Sequence, residues 1–228
     1  LASKVNEDVK LNTRFIVGNS ANAGFAQLGD NTASGDALDQ DTGASVSLSN
    51  VYFGYTGIKN TTVNVGKQGL TTPWTVAVDS DNNEQTGTGI LALSTVGPVT
   101  LAGAYFNQTN LVDSTDAKIG STSVLGSFAG DLDIATVGAI VAAGPVTLDA
   151  WYLEMKDTFD TYTVGAKSSL ELSGAKLGID ARYASLTLDD AVAKSLKSVI
   201  SATSAVEDSN SIAKVALTGK AGIFDAKI

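Results

Sequence analysis

Between residues 176 and 183 the chain alternates without a break: Lys176, Gly178, Asp180 and Arg182 interleave with Leu177, Ile179, Ala181 and Tyr183. Successive side chains of a β-strand point to opposite faces, so this spacing predicts a strand with one wet face and one apolar face. A helix would scatter the same charges around its circumference. Residues 9–17 repeat the pattern, with Val9, Leu11, Phe15 and Val17 set against Lys10, Asn12 and Arg14. A chain built from such pieces has to form sheets that face water on one side.

Further runs follow at short intervals. Strands are expected at 45–56, where Val51, Phe53 and Tyr55 lie opposite Asn50 and Tyr52, and at 61–68, 90–95, 99–107, 132–142, 146–155, 162–171, 176–185 and 211–218. A last run begins after Gly222, which brings the expectation to about eleven strands. Asp189 to Ile200 changes period: Val192, Leu196, Val199 and Ile200 share a helical face, with two aspartates where a helix N-terminus favours them. A short helix inside the segment 186–210 is therefore expected.

The connections differ in length by parity. Short ones (57–60, 96–98, 143–145, 172–175 and 219–222) alternate with longer ones (18–44, 69–89, 108–131, 156–160 and 186–210). A barrel with one end in a confined periplasm and the other end outside has this asymmetry. Strands of about nine to eleven residues suit a tilted membrane crossing. No run reaches the length of a spanning helix, so any crossing has to be made by strands. A soluble β-sandwich distributes loop lengths with less regard to parity. Only 7% of residues are aromatic, thin for a barrel with two aromatic girdles.

One connection stands apart. Gly69 to Gly89 is about twenty residues long, and a loop of that length inside a compact domain is usually functional or disordered. It carries Pro73, Trp74, Asp79, Asp81 and Glu84. An indole, a proline and three acids suit a segment that fills space, and the expectation is a loop folded into the lumen of the barrel. Composition narrows the chemistry. With no histidine and no cysteine, the usual general base near neutrality, thiolate metal sites and disulfides are all absent from this chain. A net charge of −9 without a basic stripe argues against nucleic acid as a partner.

The order Asn50-Val51-Tyr52-Phe53-Gly54-Tyr55-Thr56, Val63-Asn64-Val65-Gly66-Lys67-Gln68-Gly69-Leu70, Trp74-Thr75 and Gly87-Thr88-Gly89 resembles the major outer membrane porin family of Campylobacter and its relatives. Weaker likeness runs through Leu148 to Tyr152, Lys176 to Asp190 and Ala213 to Ala226. The resemblance implies a trimeric general-diffusion porin in the outer membrane of a Gram-negative bacterium, in contact with lipid and lipopolysaccharide. It implies a barrel of about eighteen strands, with 69–89 as the inward constriction loop. On this reading residues 1–228 are a single barrel domain, incomplete at both ends.

The residues expected to matter are then physical rather than catalytic, and no enzyme activity is expected. Lys10, Arg14, Lys176, Asp180 and Arg182 would charge the lumen wall; Asp79, Asp81 and Glu84, with Trp74, would line the constriction. Opposed signs across a narrow opening would set up a transverse field, and acids on the narrowing element predict a mild preference for cations among small hydrophilic solutes. The same three acids could instead gather around calcium, although their spacing matches no known calcium loop. Wall charges and loop acids also have a plain reading as solvated side chains. The competing function is a β-rich surface or adhesive protein without a channel.

Overall fold

In the computed structural model, residues 1–17, 46–75, 77–78, 84–111, 133–199 and 207–227 are described. They form one antiparallel sheet in chain order: β1 (Ala2–Lys4), β2 (Val9–Val17), β3 (Val46–Tyr55), β4 (Thr61–Gly69), β5 (Thr86–Val96), β6 (Val99–Thr109), β7 (Ile134–Ala143), β8 (Val146–Met155), β9 (Phe159–Leu172), β10 (Ala175–Leu188), β11 (Ser209–Ala221) and β12 (Phe224–Lys227). Each strand pairs with its sequence neighbours, so the sheet is an uninterrupted up-and-down meander. Among the described residues β1 and β12 each have one partner, and the sheet is open. Closure into a cylinder needs its two ends to pair.

Twelve strands stand where about eleven were expected. The additional one, β1, is three residues long and too short to show a period. The second difference lies beside the long connection: Gly87, Thr88 and Gly89, expected in the loop, belong to β5, and Gly69 closes β4. The connection is therefore 70–85. A glycine pair reads as a turn, but here it serves a bulge between Thr88 and Gly89, where a Cβ on Gly89 would come within 2.0 Å of the Tyr105 carbonyl oxygen.

The turns at one end of the sheet are all short, and the long connections lie at the other end; that end also holds one short link, because β9 opens at Phe159 and cuts the expected longer segment 156–160 to the three residues 156–158. Gly97, Gly144, Gly174 and Gly222 occupy the four tightest turns with φ between 57° and 84°. Gly97 and Gly144 are each followed by proline, whose fixed φ suits the second place of a two-residue hairpin turn. At the other end, α1 (Asp190–Val199) is capped by Asp189, whose Oδ1 accepts from the Ala191 amide at 2.8 Å. The connection that carries it is 189–208, shorter at both ends than the expected 186–210, because β10 continues to Leu188 and β11 opens at Ser209.

Register decides which side chains share a face. Lys10 lies opposite Gly54, Gly54 opposite Asn64, Asn64 opposite Leu91, and the row continues through Ala104, Thr136, Leu153, Thr161 and Leu186 to Asn210. Directly paired residues point the same way, so Lys10 on β2 and Arg182 on β10 stand on one face. We call this the Arg182 face. The other bears Phe53, Val65, Tyr105, Val137, Leu148, Val164, Ile179 and Val215, all large, apolar and exposed. That is the inverse of a soluble sheet, which would bury this set. Tyr105, Tyr152, Tyr162 and Tyr183 gather on the Phe53 face towards the long connections, with the rings of Tyr162 and Tyr183 6.0 Å apart. A modest aromatic content thus supplies a local girdle at one level.

Candidate functional site

The Arg182 face is built in three parts: a polar trough on β2–β5, an apolar seat beneath the 70–85 connection, and a charged wall on β8–β11. The trough is a cavity of about 540 Å³ lined by Asn12, Arg14, Asn50, Tyr52, Asn64 and Gln68 among others. Room for it comes from small residues: a side chain at Gly54 would press on Asn64 and Asn12.

The 70–85 connection lies on this same face in its described part. Its base is tied by local hydrogen bonds. The Thr72 and Trp74 amides donate to Thr75 Oγ1 and Thr72 Oγ1 at 3.0 and 3.2 Å, and Thr75 Oγ1 donates to the Leu70 carbonyl at 3.1 Å. The Leu70 amide donates to the Gln85 carbonyl at 2.9 Å, and the Thr86 amide donates to Asn110 Oδ1 at 2.7 Å. Such hydroxyl-to-backbone bonds give a loop the internal partners that regular structure would otherwise supply. Beneath it, Leu70, Phe106, Leu111, Ile134, Leu153 and Met155 form a buried apolar cluster, with Trp74 and Phe159 packed against it. The seat therefore joins the base of the connection to the Arg182 face of β6–β9.

An ion pair makes the second attachment. Arg14 on β2 contacts Glu84, whose side chain is 7% exposed against 59% for the arginine. The expected opposition of wall base and loop acid across an opening is, for this pair, direct contact, because Glu84 sits at the root of the connection and reaches the wall itself. Trp74 Nε1 and Glu84 Oε2 are buried without a partner among the described residues. Asp79 and Asp81 lie outside the described residues, and the calcium reading rests on them; the remaining acid of that set, Glu84, is taken up by Arg14.

Every expected wall charge stands on the Arg182 face. Asp180 pairs with Lys167 at 3.3 Å, Lys176 with Glu171 at 3.4 Å, and Arg182 with Asp149 at 2.8 Å. Lys10 forms no ion pair among the described residues. The Arg182–Asp149 pair is the ordered one: Nη1 donates to Oδ2 at 2.9 Å and to Thr163 Oγ1 at 3.2 Å, while Nη2 donates to Oδ1. Sequence reasoning missed Asp149, Trp151, Thr163 and Asn110. For the first three a signal existed, namely Gly138 and Gly165 inside strands, where a missing side chain marks the close approach of something else.

Comparison with solved structures finds the same architecture in Pseudomonas aeruginosa proteins, among them the outer membrane protein OpdK. OpdK, solved with vanillate, matches with a TM-score of 0.66 at 15% identity, over 97% of this chain and 56% of that one. OccK8 (OprE) matches with a TM-score of 0.63 at 14% identity, over 93% and 54% respectively. OccK2 (OpdF), solved with glucuronate, gives 0.61 at 17%, over 82% and 47%. The chain thus spans about half the length of the structures it resembles. No curated protein matches the sequence. Residues 1–222 match the family model of the Campylobacter major outer membrane protein. The chain belongs to that family, an all-β family of the Gram-negative outer membrane.

Proposed function

We propose that this chain forms much of the wall and the constriction of a general-diffusion porin that passes small hydrophilic solutes and ions. The observation that carries the reading is the seating of the 70–85 connection on the charged face of a sheet whose other face is apolar and exposed. Hydrocarbon tolerates the second face and excludes the first, so the loop side is the wet side. The two edge strands need partners before such a sheet can sit in lipid, and the rest of a barrel would supply them. Membership of an outer membrane protein family and a fold shared with OpdK support a physical rather than a catalytic task.

Mild cation preference is read from the acids of the connection, with Lys10 and Lys214 among the wall bases that form no ion pair among the described residues. Arg14, Lys167, Lys176 and Arg182 each meet an acid on the same face. Asp79 and Asp81 belong to the same connection in the sequence, and a few charges in a low-dielectric opening shift ion preference appreciably. A homotrimer set in lipid and lipopolysaccharide completes the proposal by family resemblance.

Planar-bilayer recording of the full-length protein tests it. Stepwise currents with a reversal potential displaced towards the cation in a salt gradient are expected; silence in every salt refutes the channel. A surface or adhesive protein would be extracted without detergent and would show no heat-dependent gel mobility.

A further inference from the structure

The Arg182 face of β9–β12 changes character towards the short turns. Gly178 on β10 is directly opposite Ser169 on β9 and Thr218 on β11, and Thr218 is directly opposite Lys227 on β12. A Cβ built on Gly178 would collide with Thr218 Oγ1, so that hydroxyl lies over bare backbone. The next row of this face towards the long connections runs Lys167, Asp180, Ala216. The next row towards the short turns runs Glu171, Lys176, Lys220, Asp225. Small residues at 178 and 216 therefore make a floor, with hydroxyls beside it and charged side chains around its rim. The hollow has a volume of about 450 Å³.

Its charge is lopsided. Lys167, Lys176, Lys214, Lys220 and Lys227 all line the hollow, against Asp180 and Asp225. Lys167 is met by Asp180 and Lys176 by Glu171, in exposed pairs at 3.3 and 3.4 Å. Lys214, Lys220 and Lys227 form no ion pair among the described residues. Asp225 lies directly opposite Lys220 and offsets one of these charges, so five lysines stand against three acids. Lys176 and Lys220 are themselves directly opposite each other, and like charges so placed destabilise a cross-strand pair. An anion between them relieves that repulsion, and a dianion gains about twice as much from the surplus as a monoanion. The donors are ammonium and hydroxyl groups, which rotate to meet an acceptor. They lack the planar fork that matches a carboxylate and suit an oxyanion with acceptors on several sides.

We propose that this hollow is a wall site for small phosphate dianions, inorganic phosphate and phosphomonoesters alike, held by Lys176, Lys214, Lys220 and Lys227 with the hydroxyls of Ser169 and Thr218. This inference rests on the channel reading and names a solute class for the end of the wall opposite the 70–85 connection. The acids of the connection set the preference among simple salt ions, and the hollow acts on the anions that reach it. Its chemistry is binding alone: exposed ammonium groups in water each contribute little, which permits release.

The test is current block of the full-length porin in planar bilayers at about pH 8, where a phosphate carries its second charge. The probes are inorganic phosphate, glycerol phosphate, acetate and glycerol. Both phosphates should block in a concentration-dependent way, at least about tenfold more tightly than acetate, and glycerol should not block. The double variant Lys220→Gln with Lys227→Gln should weaken phosphate block about tenfold, about threefold for each lysine. Thr218→Val keeps the shape, removes a donor and should weaken block about fivefold. Lys10→Gln removes the same charge from the same face, eight strands away on β2, and should leave block within about twofold because salt screens it. Equal block by phosphate and acetate, full phosphate block in the double variant, or an equal loss in Lys10→Gln overturns the site and leaves the channel standing. If the double variant fails to assemble, the probe series on the native protein and the Thr218→Val variant decide. Absence of any current defeats the channel reading and this inference together.

Discussion

At the scale of single residues, the glycines of the strands carry most of the information about the wall. Gly165→Ala drives a methyl group into Arg182 and Asp149. An overpacked position with a displaced ion pair costs about 1–3 kcal/mol. The loss should appear as a lower temperature for conversion of the folded gel form. Gly103→Ala is the matched control: a Cβ there meets nothing within 4 Å, so no loss is expected. The Arg14–Glu84 pair makes an asymmetric prediction. Arg14→Gln leaves a nearly buried carboxylate without its cation, whereas Glu84→Gln leaves an arginine that water already solvates. Discounted for the arginine's exposure, the first should cost about 1–2 kcal/mol and the second much less. Thermal conversion of the two variants, side by side, checks the order. Little of this was legible beforehand. Charge alternation placed Arg14 and Arg182 on the right face, yet no spacing rule pairs Asp149 with a residue 33 positions away.

At the scale of elements, the strands were the legible part because a wet face and a lipid face impose a period of two along the whole length. Residues 9–17 and 146–155 were read with their true ends, and α1 to within a residue at each end. Misreadings fell where a local rule was overridden: Gly87-Thr88-Gly89 has turn composition but is held in β5 by pairing on both sides, and β1 is defined by pairing alone. The 70–85 connection was legible as a long segment set apart by its length and contents, but the apolar seat that holds its base on the Arg182 face was not. Phe106, Ile134 and Leu153 sit at wet-face positions and become core only because the connection covers them. Trp74→Ala empties part of that seat and should cost about 3 kcal/mol, as for other large aromatic truncations. Noisier and larger single-channel currents are the expected readout, because the segment proposed to narrow the passage loses its anchor. Trp74→Phe should be close to neutral, since it keeps a ring and deletes an N–H that has no partner.

At the scale of the whole molecule, stability and function rest on the same two-sidedness. A charge introduced at Val164, on the apolar face, should be expelled by hydrocarbon at about 2–4 kcal/mol. The same arginine at Thr147, on the Arg182 face, should cost little, because that side already solvates charge. Refolding yields into lipid vesicles would show the difference directly. The most direct test of the account is thiol accessibility along adjacent positions. This chain contains no cysteine, so single replacements report cleanly within it. Cysteines at Lys10, Thr147 and Ala184 in the full-length protein in membranes should react with a charged, membrane-impermeant reagent and reduce the current. Those at Leu11, Leu148 and Tyr183 should stay unreactive. Reaction at the second set, or no difference between the two, would contradict the claim that water runs along the Arg182 face.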